Sequence, residues 1–200
     1  TMNPSHETNI LNLNLIPVGL GEEKFSNNFL TDNKGENISF KNKFYGEYTF
    51  HYWIWKNYIN DIKSEWVGFC QYRKFFLKNR IDEKNISFNT LKNAIVTDIK
   101  FDNDNVDCIL GEKFSVKNYK LSKIIKNHFF HFLLNPKLLI DKRKRNLKLH
   151  FDLFHGKGNL DLAVNLLDDE NKEDFKNFMN NNTSFNPHNM FFCKTKILKR

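Results

Sequence analysis

The run Trp66-Val67-Gly68-Phe69-Cys70 is mostly apolar and stops abruptly at Gln71-Tyr72-Arg73-Lys74, before Phe75 and Phe76. It reads as a short buried strand that delivers two fixed cations to a cleft. Arg73 offers a planar, bidentate fork and Lys74 a compact point charge, so the chemistry on offer is capture of an anion such as a diphosphate. The plainer reading is two solvated charges at a strand end. Asn37, Ser39 and Asn42 lie at a loop-to-helix junction, where free backbone N–H groups either meet a phosphate or are simply capped. His155-Gly156-Lys157-Gly158 is a third place of interest, because its glycines allow close backbone approach to a ligand as readily as they form a turn.

These residues need elements to position them. Leu11 to Leu15 alternates apolar residues with asparagine before Ile16-Pro17-Val18-Gly19, which predicts a strand running into a loop. Gly19, Gly21 and Gly35 make 19–37 loop-rich. From Lys43 to Tyr58 the pattern is helical: Tyr45, Tyr48, Tyr52 and Trp55 recur at spacings of three and four, and Phe50, Trp53 and Ile54 widen the apolar surface. This predicts a helix buried on most sides, with Ser39 or Asn42 as its N-cap. Strands are expected at Trp66–Cys70, at Val106–Leu110 and at Asn189–Cys193, and helices at 88–96, 119–134, 159–167 and 171–180. The alternation argues for one α/β domain spanning residues 1–200, with no internal repeat.

Composition narrows the partners. The chain has 200 residues, enough for one domain with a sizeable core, and its 21 phenylalanines predict a core rich in rings. A net charge of +8 favours anionic partners: nucleic acid, phospholipid surfaces or phosphorylated small molecules. A nucleic-acid module is disfavoured, because the aromatics cluster at helical core spacing and no nucleic-acid motif is present. Cys70, Cys108 and Cys193 are odd in number and lie in apolar stretches, which predicts reduced, buried thiols and a cytosolic compartment. With no CxxC and scattered histidines, there is no zinc spacing. No apolar run approaches the roughly 20 residues a bilayer span needs. The basic run Lys142-Arg143-Lys144-Arg145, with Lys137 and Lys148 nearby and Leu138, Leu139, Ile140, Leu147 and Leu149 interleaved, reads as a basic amphipathic surface or as a solvated loop.

Four motifs in order carry a resemblance: Gly35-Glu36-Asn37-Ile38-Ser39-Phe40-Lys41-Asn42, Tyr45-Gly46-Glu47, Tyr52-Trp53-Ile54-Trp55-Lys56-Asn57, and Gly68-Phe69-Cys70-Gln71-Tyr72-Arg73-Lys74-Phe75-Phe76. They resemble the bacterial glycosyltransferase family catalogued as domain of unknown function 4422. His155, Asn159-Leu160-Asp161 and Asn189-Met190-Phe191 are similar to its C-terminal motifs, so the resemblance covers about residues 15–193. It implies a GT-A-like, Rossmann-type αβα sandwich. It also implies transfer of a sugar from a nucleotide-sugar donor, a UDP-sugar by expectation, to a surface polysaccharide or lipid-linked glycan. Capsule, exopolysaccharide or lipopolysaccharide assembly is the implied setting, at the cytoplasmic face of the membrane. The family usually has His-Tyr-Arg-Arg after the strand; here Gln71 replaces the histidine and Lys74 the second arginine, so a proton carrier is lost. A first strand normally precedes Pro17-Val18-Gly19 and more helix normally follows Asn189-Met190-Phe191, so the chain reads as a shortened member or a fragment, with a degenerate, inactive member as the alternative.

Under the implied reaction, Arg73 and Lys74 take the place of a metal ion in stabilising the departing diphosphate, with Gln71 and Tyr72 beside them. Asn37, Ser39, Asn42, His155 and Lys157 complete the donor contacts. Asp161 is the first candidate for general base or acceptor-hydroxyl ligand, and Asp107 the second. Glu47, His188 and Asn189 are placed at the acceptor or as residues that close the site. Asp102-Asn103-Asp104 is a literal DxD, but it precedes a strand rather than ending one, which favours a solvated turn. No cofactor is expected to be required, manganese being the disfavoured alternative.

Overall fold

The computed structural model describes residues 4–71, 74–82, 84, 86–99, 105–118, 133, 136, 141 and 144–199. Tyr72, Arg73, the Asp102-Asn103-Asp104 triplet and nearly all of the helix expected over 119–134 lie outside them. Two compact units divide the chain, Thr1–Gly111 with Asn189–Arg200, and Glu112–His188. The class is mixed α/β, with small sheets and short helices.

The first unit opens with a helix, α1 (Pro4–Asn12), where alternation predicts a strand at Leu11–Leu15. A strand would place Leu11 and Leu13 on one face; here Leu11, on the helix, is 42% exposed and Leu13, just past its end, is 4% exposed. Asn14, at φ 58°, ends it in the left-handed conformation that asparagine tolerates. Two-residue strands β1 (Val18–Gly19) and β2 (Leu30–Thr31) then pair in parallel, Val18 opposite Leu30.

The helix expected from Lys43 to Tyr58 is two helices, α2 (Asn42–Tyr45) and α3 (Tyr48–Asn57). Gly46 separates them at φ 53°, a conformation that side-chain-bearing residues rarely adopt. Burial on α3 falls on Thr49, Phe50, Trp53 and Ile54. The stripe Tyr45, Tyr48 and Trp55 is exposed instead. Its rings are covered by polar partners: Lys56 Nζ stands 3.9 Å from the centroid of Trp55, and the Tyr52 hydroxyl donates to Glu36 at 2.7 Å. The helix is therefore buried on one face only. Phe50, Trp53, Ile54 and Ile59 form the core of this unit, against Val18, Leu20, Leu30, Ile62, Phe69 and Leu198. Full burial of one such side chain stabilises by about 1.5–3 kcal/mol.

The main sheet has three antiparallel strands in the order β3-β7-β4, with β3 (Trp66–Phe69), β4 (Cys108–Leu110) and β7 (Phe191–Lys194). All three expected strands are present, each shorter than its apolar run. Trp66 pairs with Lys194 and Phe69 with Phe191; Cys108 pairs with Cys193. Among the described residues β3 has a partner on one side only, so it is a half-buried edge strand rather than a buried central one. The ring of Phe192 lies across Gly68, where a Cβ would strike it, and packs edge-on against Phe76 at 4.9 Å. Helix α4 (Phe88–Ala94) is capped by Ser87, whose side chain accepts from Thr90 N–H.

The second unit packs α5 (Leu147–His155), α6 (Asn159–Val164) and α7 (Asp169–Asn181) beside the antiparallel pair β5 (Phe114–Ser115) and β6 (Ser184–Phe185). Asn146 and Asp168 cap α5 and α7 through bonds from the N–H groups of Leu149 and Asn171. Among the described residues its buried apolar side chains are Val116, Leu147, Leu153, Leu160 and Val164. A last turn of helix, α8 (Thr195–Leu198), follows β7 in the first unit. Among the described residues no helix is long and apolar enough to cross a membrane.

Two surface expectations are corrected here. Arg145, read as part of a basic surface, is 3% exposed and its Nη1 donates to Lys117 O at 3.0 Å, while Leu147 behind it is in the interior. Of the cysteines, all three are free, but Cys70 and Cys108 are exposed and only Cys193 is buried. Cys70 lies just past the end of β3 and Cys108 on the short strand β4, where cover is thin.

Candidate functional site

The exit of β3 and the first turn of α3 meet. Side chains alternate along a strand, so Val67 and Phe69 share a face and Gln71 continues it. Phe69 packs its ring 4.7 Å from His51 and 4.9 Å from Phe191. Gln71 Nε2 donates to Glu47 Oε2 at 3.2 Å, and the Tyr48 hydroxyl donates to Asn189 Oδ1 at 2.9 Å. Glu47, His51, Cys70, Gln71 and Asn189 line a cleft of about 1200 Å³ whose remaining walls are largely apolar.

The electrostatics follow from burial. Desolvation pushes the His51 imidazole below its usual pKa of 6.5, and the nearby Glu47 carboxylate partly opposes this. The Cys70 thiol, though its residue is exposed, is pushed up by desolvation and again by Glu47. A neutral imidazole beside a carboxylate is a pair able to accept and pass a proton. Lys74 stands close by: its N–H donates to Gln71 O at 3.1 Å across an isolated bridge.

The loop-to-helix residues are held by local bonds. Asn37 Oδ1 accepts from Ser39 N–H and Oγ at 3.2 and 2.8 Å, and Asn37 Nδ2 donates to Gly35 O at 2.9 Å. Neither Ser39 nor Asn42 is a helix N-cap; those positions fall on Ile38, Lys41 and Glu47. Asn42 instead ties α2 to α3, donating to Gly46 O at 2.9 Å and to Thr49 Oγ1 at 3.2 Å. Thr49 in turn donates to Asp32 Oδ2, and Gly21 N–H donates to Asp32 Oδ1 at 2.9 Å. Asp32 is wholly buried, so this chain of bonds fastens the 19–32 loop to the helix that carries Glu47 and His51.

The other candidates have partners within their own units. Asp107 belongs to the first unit; it is half-exposed and pairs with Lys194 Nζ at 3.3 Å. Asp161, His155, Lys157 and His188 belong to the second unit. There Lys148 Nζ bridges Asp161 at 2.9 Å and Asp152 at 3.1 Å. Burial alone would lower the pKa of the Lys148 ammonium, but the hydrogen bonds it donates to Asp161 and Asp152 outweigh this and hold the pKa above its usual value. His155 ends α5, and Lys157 lies between Gly156 and Gly158, both at positive φ. Among the described residues no three His, Cys, Asp or Glu side chains gather to hold a metal ion.

Sequence reasoning passed over His51, Tyr48 and Asp32 as site residues. His51 had a readable signal, lying one helical turn after Glu47. Asp32 had none, because Asp32-Asn33 reads as an ordinary turn until its carboxyl is found buried.

The family described as "Domain of unknown function (DUF4422)" matches residues 9–200. The chain belongs to the DUF4422 family. The resemblance carried by the Asn37, Glu47, Trp53 and Gln71 motifs is therefore membership. No curated protein matches this DUF4422 chain significantly. Among solved structures it is similar to one titled "WbbM bifunctional glycosytransferase apo structure", at 23% identity and a TM-score of 0.38. The match covers 86% of this chain and 28% of that one, so the DUF4422 chain spans under a third of the length of the solved protein.

Proposed function

We propose that this DUF4422 protein is a glycosyltransferase that moves a sugar from a nucleotide donor, a UDP-sugar by preference, to a surface polysaccharide or lipid-linked glycan. The observation that carries the reading is the convergence of motif residues at one end of a cleft. Glu47, Gln71 and Asn189 come from three separate motifs, and two hydrogen bonds tie them to one place, with Tyr48 supplying the partner of Asn189. The cleft, at about 1200 Å³, is ample for a nucleotide-sugar.

In this mechanism Arg73 and Lys74 neutralise the diphosphate as it leaves, replacing a metal ion. Glu47, relayed through His51, accepts the proton of the acceptor hydroxyl; Asp161 and Asp107 are the competing bases. Tyr72, Asn37, Ser39 and Asn42 are the proposed donor contacts. A GT-A-type αβα arrangement in the whole protein and work at the inner membrane face complete the reading.

The deciding experiment is a thermal-shift screen with nucleotide-sugars, with and without manganese, followed by a donor-hydrolysis assay on each hit. A ligand at 100 times its Kd adds about 2.7 kcal/mol of apparent stability, a shift of several degrees. A metal-independent shift with turnover supports the mechanism. Binding without turnover assigns a degenerate member, a shift that needs manganese returns the charge role to a metal, and no shift with any nucleotide-sugar removes the proposal.

A further inference from the structure

β4 and β7 bring two cysteines face to face. Cys108 and Cys193 are direct partners in the antiparallel ladder. One residue away, Lys194 N–H donates to Asp107 O at 3.0 Å, which makes Asp107 and Lys194 a hydrogen-bonded pair. Pair types alternate along an antiparallel ladder, so Cys108 and Cys193 form a non-hydrogen-bonded pair. In such pairs the Cα atoms are about 4.5 Å apart and the side chains come closest. That separation falls within the roughly 4.4–6.8 Å that a disulfide spans. The Cys193 Sγ donates to Lys194 O at 3.5 Å; burial raises the pKa of this thiol, and the neighbouring Cys108 and Asp107 raise it further. The two differ in access, Cys108 being exposed and Cys193 buried. Cys70 lies beyond the end of β3 and has neither sulfur opposite it in the ladder.

We propose that Cys108 and Cys193 form a reversible oxidation site, converted by a small-molecule disulfide such as oxidised glutathione into a cross-strand disulfide that locks β4 to β7. Cys108 reacts first because it is reachable. Its thiolate attacks one sulfur of oxidised glutathione, giving a mixed disulfide and releasing one glutathione. The Cys193 thiolate then attacks the Cys108 sulfur, forming the protein S–S bond and releasing the second glutathione. Two protein thiols are oxidised, one small disulfide is reduced, and the two protons end on the two glutathione thiols. Because burial keeps Cys193 protonated, the closing step is the slower one and quickens as pH rises. The bond would fix the strand that bears Phe191, whose ring faces His51 at 5.8 Å.

The test equilibrates the folded protein with oxidised glutathione, quenches with iodoacetamide in denaturant so that buried Cys193 is also reached, and reads intact mass and peptide linkages. The expected result is loss of the Cys108 and Cys193 thiols with a single linked peptide pair containing them, while Cys70, which has no facing thiol, ends either alkylated or carrying one glutathione. Cys108→Ser leaves the Cys193 thiol alkylated, and dithiothreitol restores all three in the wild type. The proposal is overturned if oxidation stops at glutathione on Cys108, if Cys70 or a second chain is the linked partner, or if all three thiols remain free.

Discussion

Gln71 Nε2 donates to Glu47 Oε2 at 3.2 Å, across 24 positions of sequence, and so joins the strand exit to the start of α3. This bond leaves Glu47 held but only half-buried, with His51 one turn on. Glu47→Gln keeps the shape and removes the base, so donor turnover should fall about 10²-fold or more. The melting temperature should stay within a few degrees, because no buried charge loses its partner. Steady-state kinetics beside a melting curve will separate the two; a variant as active as wild type would exclude Glu47 from the chemistry.

Gln71→His places a ring nitrogen beside Glu47, where the resemblance implies a histidine. It should raise turnover by about tenfold or more if proton transfer limits the reaction. A kcat–pH profile is the measurement, since the new imidazole should add a limb near neutral pH to the one that His51 sets in the wild type.

The Asp32 network predicts a stability effect. Thr49→Val removes the hydroxyl that donates to the buried Asp32 and receives Asn42. Leaving such an acceptor short costs about 1–3 kcal/mol. At about 2–4 °C per kcal/mol for a chain of this size, calorimetry should detect the drop easily.

His51 sets a pH dependence. Its folded pKa is depressed below 6.5, so the unfolded chain binds more protons between the depressed value and 6.5. Stability therefore falls as pH drops through that window and is fully present above it. His150, also lowered by burial and by the neighbouring His155, acts in the same direction. His51→Phe should flatten part of the slope of melting temperature against pH below 6.5, leaving the share of His150; an unchanged slope would show that His51 titrates alike in both states.

Gly68→Ala places a methyl group against the Phe192 ring, which lies over this glycine. The ring must move, and overpacking of this kind costs about 1–3 kcal/mol. Pairing it with Phe192→Leu should recover part of the loss in urea denaturation.

The expected helices at 88–96, 159–167 and 171–180 and the strands at Trp66–Cys70, Val106–Leu110 and Asn189–Cys193 were legible because each follows from local periodicity and end signals. So was the family, since its motifs are contiguous. Leu11–Leu15 misled, because a short apolar–asparagine alternation satisfies both periods until burial chooses one. The tyrosine stripe of α3 misled for a related reason. Helical spacing shows that residues share a face, whereas which face meets the core depends on Gly46 and on the partners of Tyr48, Tyr52 and Trp55.

Residue types at Glu47, Gln71 and Asn189 determined what chemistry was on offer, and their motifs determined the family. Only the tertiary structure decided that these three meet, that His51 stands beside them, that Asp32 is a buried anchor, and that Cys108 faces Cys193. Each of these is a long-range relation, fixed by strand register and by where desolvation falls; neither quantity is local to the chain.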